Sequence, residues 1–254
     1  MQLKGKKILI TGAGSGIGQA LAIALAHLGN ELVLSGRNLD KLKHTQDMCQ
    51  NSNILCFATD IQNPLEREQL VQHVSQTFGS LDILINNAGI VNVGKLDETP
   101  TASIETMITT NLLAPIMLTR SLLPLLRTSK EAGIINMGSM FGDIAFPYFG
   151  VYSATKFGLR GFSDGIRREL ARDNIKVFYA APRATQTPAS KEYDDLVDPF
   201  DMAIDTPENV AAHIIKSIEK GKTSIYPPTK EMFFLFIQRL FPKLIDKNLQ
   251  SKVR

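Results

Sequence analysis

Tyr152 and Lys156 stand four places apart in "GVYSATKFGL", a run of small and apolar residues. On a helix that spacing sets both on one face. A phenol titrates near ~10, too high for a useful base at neutral pH. An adjacent ammonium favours the phenolate and lowers that value, so Tyr152 can exchange a proton with an alcohol or carbonyl oxygen. The bare pair also reads as two ordinary helix side chains. Two further groups bear on the choice. Ser139 follows "GIINM", where its hydroxyl can bond the same substrate oxygen or simply form a turn or cap. Asn111, in "TNLLAP", puts an amide into an apolar helical pattern, which is costly unless paired. It either holds a water beside Lys156 or satisfies a helix kink before Pro115.

A second constellation points to a dinucleotide. "TGAGSGIG" leaves a predicted strand and enters a predicted helix. Its glycines Gly12, Gly16 and Gly18 fit G-x-x-x-G-x-G, not G-x-G-x-x-G. Side chains are absent where a backbone must turn tightly and approach a pyrophosphate, and helix N–H groups face the anion. A flexible turn with a helix cap is the plainer alternative. At the end of the second strand, "LVLSGRNLDKL" offers Arg37 and no carboxylate at Ser35 or Gly36. A guanidinium suits a ribose 2′-phosphate, whereas an acid suits the 2′-hydroxyl, so NADP(H) is expected over NAD(H). Asp60 can accept from an adenine amino group or cap the following helix. In "INNAG", small Ala88 and Gly89 permit close approach of a ribose, though an Asn-rich turn is equally natural.

These loops need strands to carry them. Short apolar runs ("KILIT", "ELVLS", "NILCFA", "DILIN", "GIINM", "KVFYAA") alternate with helical patterns at Gly16 to Leu28, Leu39 to Cys49, Pro64 to Phe78, Ala102 to Leu126 and Tyr152 to Arg172. Strand–helix repetition predicts an α/β fold, one doubly wound parallel sheet with helices on both faces. Ligands in such sheets bind beyond the carboxyl ends of the strands. A net charge of +3 is too small for a nucleic-acid binder. Cys49 and Cys56 form no metal-type spacing with the four histidines, so no metal is expected and both thiols read as free, in a reducing compartment. No apolar run approaches the ~18 residues of a membrane span. "MQLKGKKILI" reads as the start of a strand rather than a targeting segment. The expected location is the cytoplasm.

Together, Thr11-Gly12-x-x-x-Gly16-Ile17-Gly18, Asp60, Asn86-Asn87-Ala88-Gly89, Asn111, Ser139 and Tyr152-x-x-x-Lys156 resemble the classical short-chain dehydrogenase/reductase family over roughly residues 5–225. The tail also looks like that of bacterial members labelled DltE-like. The resemblance implies a Rossmann-type domain, a homodimer or homotetramer, and hydride transfer between NAD(P) and a small-molecule carbonyl/alcohol pair. It implies Tyr152 as general acid/base and Ser139 as the group orienting the carbonyl. Lys156 would hold the nicotinamide ribose and tune Tyr152, with Asn111 supporting a relay water. The cofactor wall would include Ser15, Ile17, Ile61, Asn87, Pro182, Thr185 and Thr187.

One departure stands out. The family usually has Pro-Gly after the sixth strand; here Arg183 follows Pro182. If the backbone needs positive φ there, arginine is disfavoured; alternatively Arg183 reaches an anionic substrate. The division expected is a nucleotide-binding and catalytic domain at 1–228, a substrate lid at about 188–206, and a basic amphipathic C-terminal helix at 229–254 packed on the domain or a partner. In the lid, Leu196, Phe200 and Met202 supply an apolar inner wall or plain core. The tail holds six basic and two acidic residues after position 229, which also allows peripheral membrane contact. The main expectation is an NADP(H)-dependent reductase of an apolar or amphipathic carbonyl compound. A non-redox nucleotide-responsive protein on the same scaffold and a membrane-surface adaptor are the competing readings.

Overall fold

The apolar runs pair as the alternation predicts. The computed structural model describes residues 1–50, 53–228 and 231–253. Seven strands, β1 (Lys7–Thr11), β2 (Glu31–Gly36), β3 (Ile54–Ala58), β4 (Ile83–Asn86), β5 (Ala132–Met137), β6 (Ile175–Ala180) and β7 (Ser224–Ile225), form one sheet in the order 3-2-1-4-5-6-7. Every pairing is parallel. Successive side chains on a strand point to opposite faces, and β1 shows the consequence. Ile8 and Ile10 join a core with α1 (Gly16–Ala26), α2 (Leu39–Cys49) and α8 (Pro207–Glu219). Leu9 joins the opposite core with α3 (Pro64–Phe78) and α5 (Ala114–Arg127). Both faces are covered, so the early strands carry no polar alternation. The strand order reverses between β1 and β4, opening a crevice at their carboxyl ends.

The helix boundaries follow local chemistry. Asn63 caps α3 through the Leu65 N–H, Pro64 opens it, and Gly79 ends it at φ 65°. The helix expected from Ala102 to Leu126 is instead three pieces: α4 (Thr101–Ile108), a π-helical turn at Thr109–Leu113, and α5. Pro115 has no N–H to give the Asn111 carbonyl, and the Ala114 N–H reaches back five residues to Thr109. The helix expected from Tyr152 starts two residues earlier, as α6 (Gly150–Glu169), placing Tyr152 in its first turn.

Two elements were not read from the sequence: α8, capped by Thr206 on the Asn209 N–H, and the two-residue β7. The 188–206 segment holds a 3-10 turn at Pro188–Tyr193 and α7 (Asp194–Val197). The tail is two helices rather than one, α9 (Glu231–Leu240) and α10 (Pro242–Gln250), because Pro242 cannot continue the first. Of its basic residues, Lys230 and Arg254 lie outside the described residues.

Candidate active site

The loops beyond β1 to β6 surround one cleft of about 370 Å³. At one end lies the glycine loop. Gly12 sits at φ 66°, and a Cβ there would stand 2.7 Å from the Ala88 Cα. Thr11 locks that approach, its hydroxyl accepting from the N–H groups of Asn87 and Ala88 at 3.0 and 3.1 Å. Gly16 is at φ 57° and its vacant Cβ position is 2.9 Å from Thr187, so Thr187 closes on the loop from the far side. Gly18 does not line the cleft; a Cβ there would be 2.2 Å from the Gly12 carbonyl, so its role is packing. Ser15 opens α1 without a side-chain cap bond, and the first turn holds no acid. The unpaired N–H groups of that turn therefore face the cleft with the positive end of the helix.

Arg37, exposed just past β2, lines the cleft beside Asn38 and Lys41. Two cations, with no carboxylate beside them on the cleft wall among the described residues, suit a phosphate. Asp60 does not cap α3, a task taken by Asn63; its Oδ1 accepts from the Gln62 N–H at 3.0 Å while the residue borders the cleft with Ile61. Asn87, Ala88 and Gly89 form the floor. Thr110, in the π turn, presents a buried hydroxyl with no protein partner among the described residues. A glycine cradle, an open helix N-terminus, a cationic corner and this unpaired hydroxyl fit a dinucleotide.

At the other end, Ser139, Tyr152 and Lys156 come together with Pro182, Thr185 and Thr187 on the wall. The Ser139 hydroxyl hydrogen-bonds the Tyr152 phenol and accepts from the Phe141 N–H at 3.1 Å. Lys156 is 4% exposed; its Nζ donates to the Met137 carbonyl at 2.9 Å and lies 5.6 Å from the Tyr152 ring centre. Burial pushes the ammonium down to about 8. The expected lowering of the phenol by that ammonium does not occur here. Burial raises Tyr152 well above the ordinary tyrosine value, and only the Ser139 hydrogen bond pulls the other way. Desolvation of the phenolate is the largest cause.

Asn111 does not line the cleft. Its Oδ1 accepts from the Ile90 N–H at 2.9 Å, and its Nδ2 donates to the Ile90 carbonyl at 2.8 Å and to Thr155 Oγ1 at 3.2 Å. Gly89 lies between: a Cβ there would meet Asn111 Oδ1 at 3.3 Å and Lys156 Nζ at 3.6 Å. Tyr179 escaped the sequence reading entirely. Its ring fills the space left by Gly138 and Gly142, and its hydroxyl bonds the backbone N–H and carbonyl of Ser139 at 3.4 and 3.2 Å. The paired glycines around Ser139 were the available signal.

Arg183 has no positive φ, so the strain anticipated there is absent. Its Nε and Nη2 donate to Asp205 Oδ2 and Oδ1 at 2.8 and 2.7 Å. Phe141 and Tyr193 give the reactive end an aromatic wall, with Phe149 buried behind them. Of the apolar lid residues, Phe200 is core, packed on Phe146 and Tyr148; Leu196 and Met202 are half-buried and stand away from the cleft.

Comparison with known proteins gives these features a family context. The profile described as short chain dehydrogenase matches residues 6–197. An uncharacterized oxidoreductase of Staphylococcus aureus is 30% identical over 220 residues, covering 87% of this chain and 94% of the relative. One from Staphylococcus saprophyticus is 33% identical over 208 residues, covering 81% and 83%. The crystal structure of a short-chain dehydrogenase from Streptomyces avermitilis superposes with a TM-score of 0.83 at 25% identity, covering 98% of each chain. A 3-ketoacyl-(acyl-carrier-protein) reductase from Brucella melitensis, complexed with NADH, shares the fold at TM-score 0.81 and 24% identity, covering 89% and 97%.

Proposed function

The chain belongs to the short-chain dehydrogenase family, an oxidoreductase family using nicotinamide cofactors, and from that premise we propose that it is an NADP(H)-dependent reductase of an apolar or amphipathic carbonyl compound. The observation that carries the reading is the single cleft joining the glycine cradle and Arg37 to Ser139, Tyr152 and Lys156. Gly12, Gly16 and the first turn of α1 would hold the pyrophosphate, Arg37 and Lys41 a 2′-phosphate, and Asp60 with Ile61 the adenine. Lys156, Pro182, Thr185 and Thr187 would hold the nicotinamide half. When bound, the nicotinamide supplies the hydride in reduction and accepts it in oxidation.

The chain's own groups handle the proton. Tyr152 is protonated at neutral pH and would give its proton to a carbonyl oxygen in reduction. Ser139, held by Tyr179, donates to the same oxygen. Lys156 replaces part of the charge lost as the proton leaves, and Asn111 positions the Ile90 backbone and Thr155 around it. Phe141 and Tyr193 offer an apolar substrate a surface. The 188–206 segment, whose Pro188 and Tyr193 border the cleft, is read as a lid. With Arg183 engaged by Asp205, no observation favours a non-redox reading. A homodimer or homotetramer in the cytoplasm completes the proposal; among the described residues no helix is long and apolar enough to cross a membrane.

The test is a panel of carbonyl compounds with NADPH, followed by loss of reduced-nicotinamide absorbance. Tyr152→Phe should keep NADPH affinity and lower turnover by about 10²–10⁴-fold. Tight binding of NADPH with no turnover on a broad panel would overturn the reductase reading.

A further inference from the structure

The tail puts its apolar side outward. On α9, Leu235 is buried against Met140 and Ile144, with Ile245 of α10 in the same cluster. Arg239 bonds the buried carboxylate of Asp143 at 3.4 Å. These contacts fix which face of α9 meets the domain. The opposite face carries Phe233, Phe236 and Leu240, at the i, i+3, i+7 spacing that ordinarily faces a core. Here Phe233 is 65% and Phe236 58% exposed, with Phe234 and Phe241 also more than half exposed. At about 150–250 Å² per ring, the phenylalanines alone leave on the order of 500 Å² of apolar surface in water, and patches of that size mark interaction sites.

Charge selects the occupant. Leu244, 63% exposed, continues the patch onto α10, where Lys243 and Lys247 flank it one turn apart. On α10 the exposed Lys243 and Lys247 outnumber the one exposed carboxylate, Asp246. A two-fold contact between copies would set this surplus against itself. Aromatic side chains bordered by lysines match the headgroup layer of an anionic bilayer, which takes rings at its acyl boundary and attracts cations at its surface.

We propose that the outward face of α9 and α10 docks on an anionic lipid surface. Met140, beneath α9 with Ile144, directly follows Ser139, so docking would set the reactive end of the cleft close to the lipid. The docking itself does not depend on the reaction catalysed.

Co-sedimentation of the full chain with vesicles tests this. The expected result is pelleting with phosphatidylcholine–phosphatidylglycerol vesicles, none with phosphatidylcholine alone, and loss as salt rises. Lys243→Gln and Lys247→Gln should each weaken binding about fivefold. The double variant Phe233→Ser/Phe236→Ser should abolish pelleting with an unchanged melting temperature, since both rings are exposed in the folded chain. Failure to pellet with anionic vesicles, or equal pelleting with neutral ones, overturns the proposal. So does a fall in solution mass caused by the phenylalanine variants in sedimentation equilibrium, which would make a second copy the occupant.

Discussion

Replacing Asp205 by asparagine should loosen the base of the 188–206 segment while leaving the reactive groups in place. Arg183 and Asp205 form a two-pronged pair, with side chains 22% and 23% exposed. Around it the backbone closes: the Asp205 N–H donates to the Ala184 carbonyl and the Gln186 N–H to the Asp205 carbonyl, both at 2.8 Å. The ion pair thus sits on the two backbone hydrogen bonds that hold the segment's ends together. Bidentate charge-assisted bonds are the strong kind, but partial exposure screens them, so the pair contributes about 1–2 kcal/mol to keeping this base shut. That is roughly 5–30-fold in the opening equilibrium. Hydrogen exchange at Gln186 and residue 205 should accelerate by that factor in Asp205→Asn, with exchange in β1 and β4 unchanged. Arg183→Gly should produce the same acceleration, and the double variant no more than either single one. Unchanged exchange in both variants, or simple addition in the double, would refute the clasp.

Other perturbations read different parts of the molecule. Lys156 titrates at about 8 when folded against 10.5 for an unperturbed lysine, so the unfolded chain binds more protons between those values and stability rises with pH across that window; relative to Lys156→Met, denaturant melts should show wild type gaining about 2 kcal/mol from neutral to alkaline pH, and parallel curves would contradict this. Gly18→Ala forces a Cβ to 2.2 Å from backbone and should cost about 1–3 kcal/mol, seen as a melting point several degrees lower. Gly161→Ala, with nothing within 4 Å of its added carbon, should be neutral or stabilising by up to about 1 kcal/mol. Arg37→Ala should weaken NADPH about 10–100-fold and NADH far less, since only a 2′-phosphate uses the bidentate guanidinium; equal losses by fluorescence titration would end the NADP(H) preference.

What could be read in advance depended on how local the signal was. The cores of β1 to β6 and the span of α2 and α3 follow from apolar runs and caps adjacent in sequence, and the structure returns Leu39–Cys49 and Pro64–Phe78 with the boundaries expected. Most of the cleft's wall was also legible, because glycine loops and polar residues just past strands have a fixed place in a parallel sheet. The misses required distant partners. Tyr179 lies in an apolar strand, and nothing nearby announces that its hydroxyl meets Ser139, forty positions away. Arg183 looked like an intruder at a glycine position until Asp205 supplied its partner. The two tail helices looked like one because an apolar run masks the break that Pro242 imposes.

The constellation also shows why the Tyr152–Lys156 spacing alone says too little about reactivity. Four residues of helix put the amine 5.6 Å from the centre of the ring. Removal from water governs both groups, and their titrations move apart: the amine down, the phenol up. A buried lysine is tolerable because the Met137 carbonyl accepts from it. Burial therefore sets a phenol kept neutral beside an amine whose charge is disfavoured. A polar ligand between the glycine loop and Lys156 changes the solvation of both groups at once, so proton chemistry at Tyr152 is coupled to occupancy of the cleft.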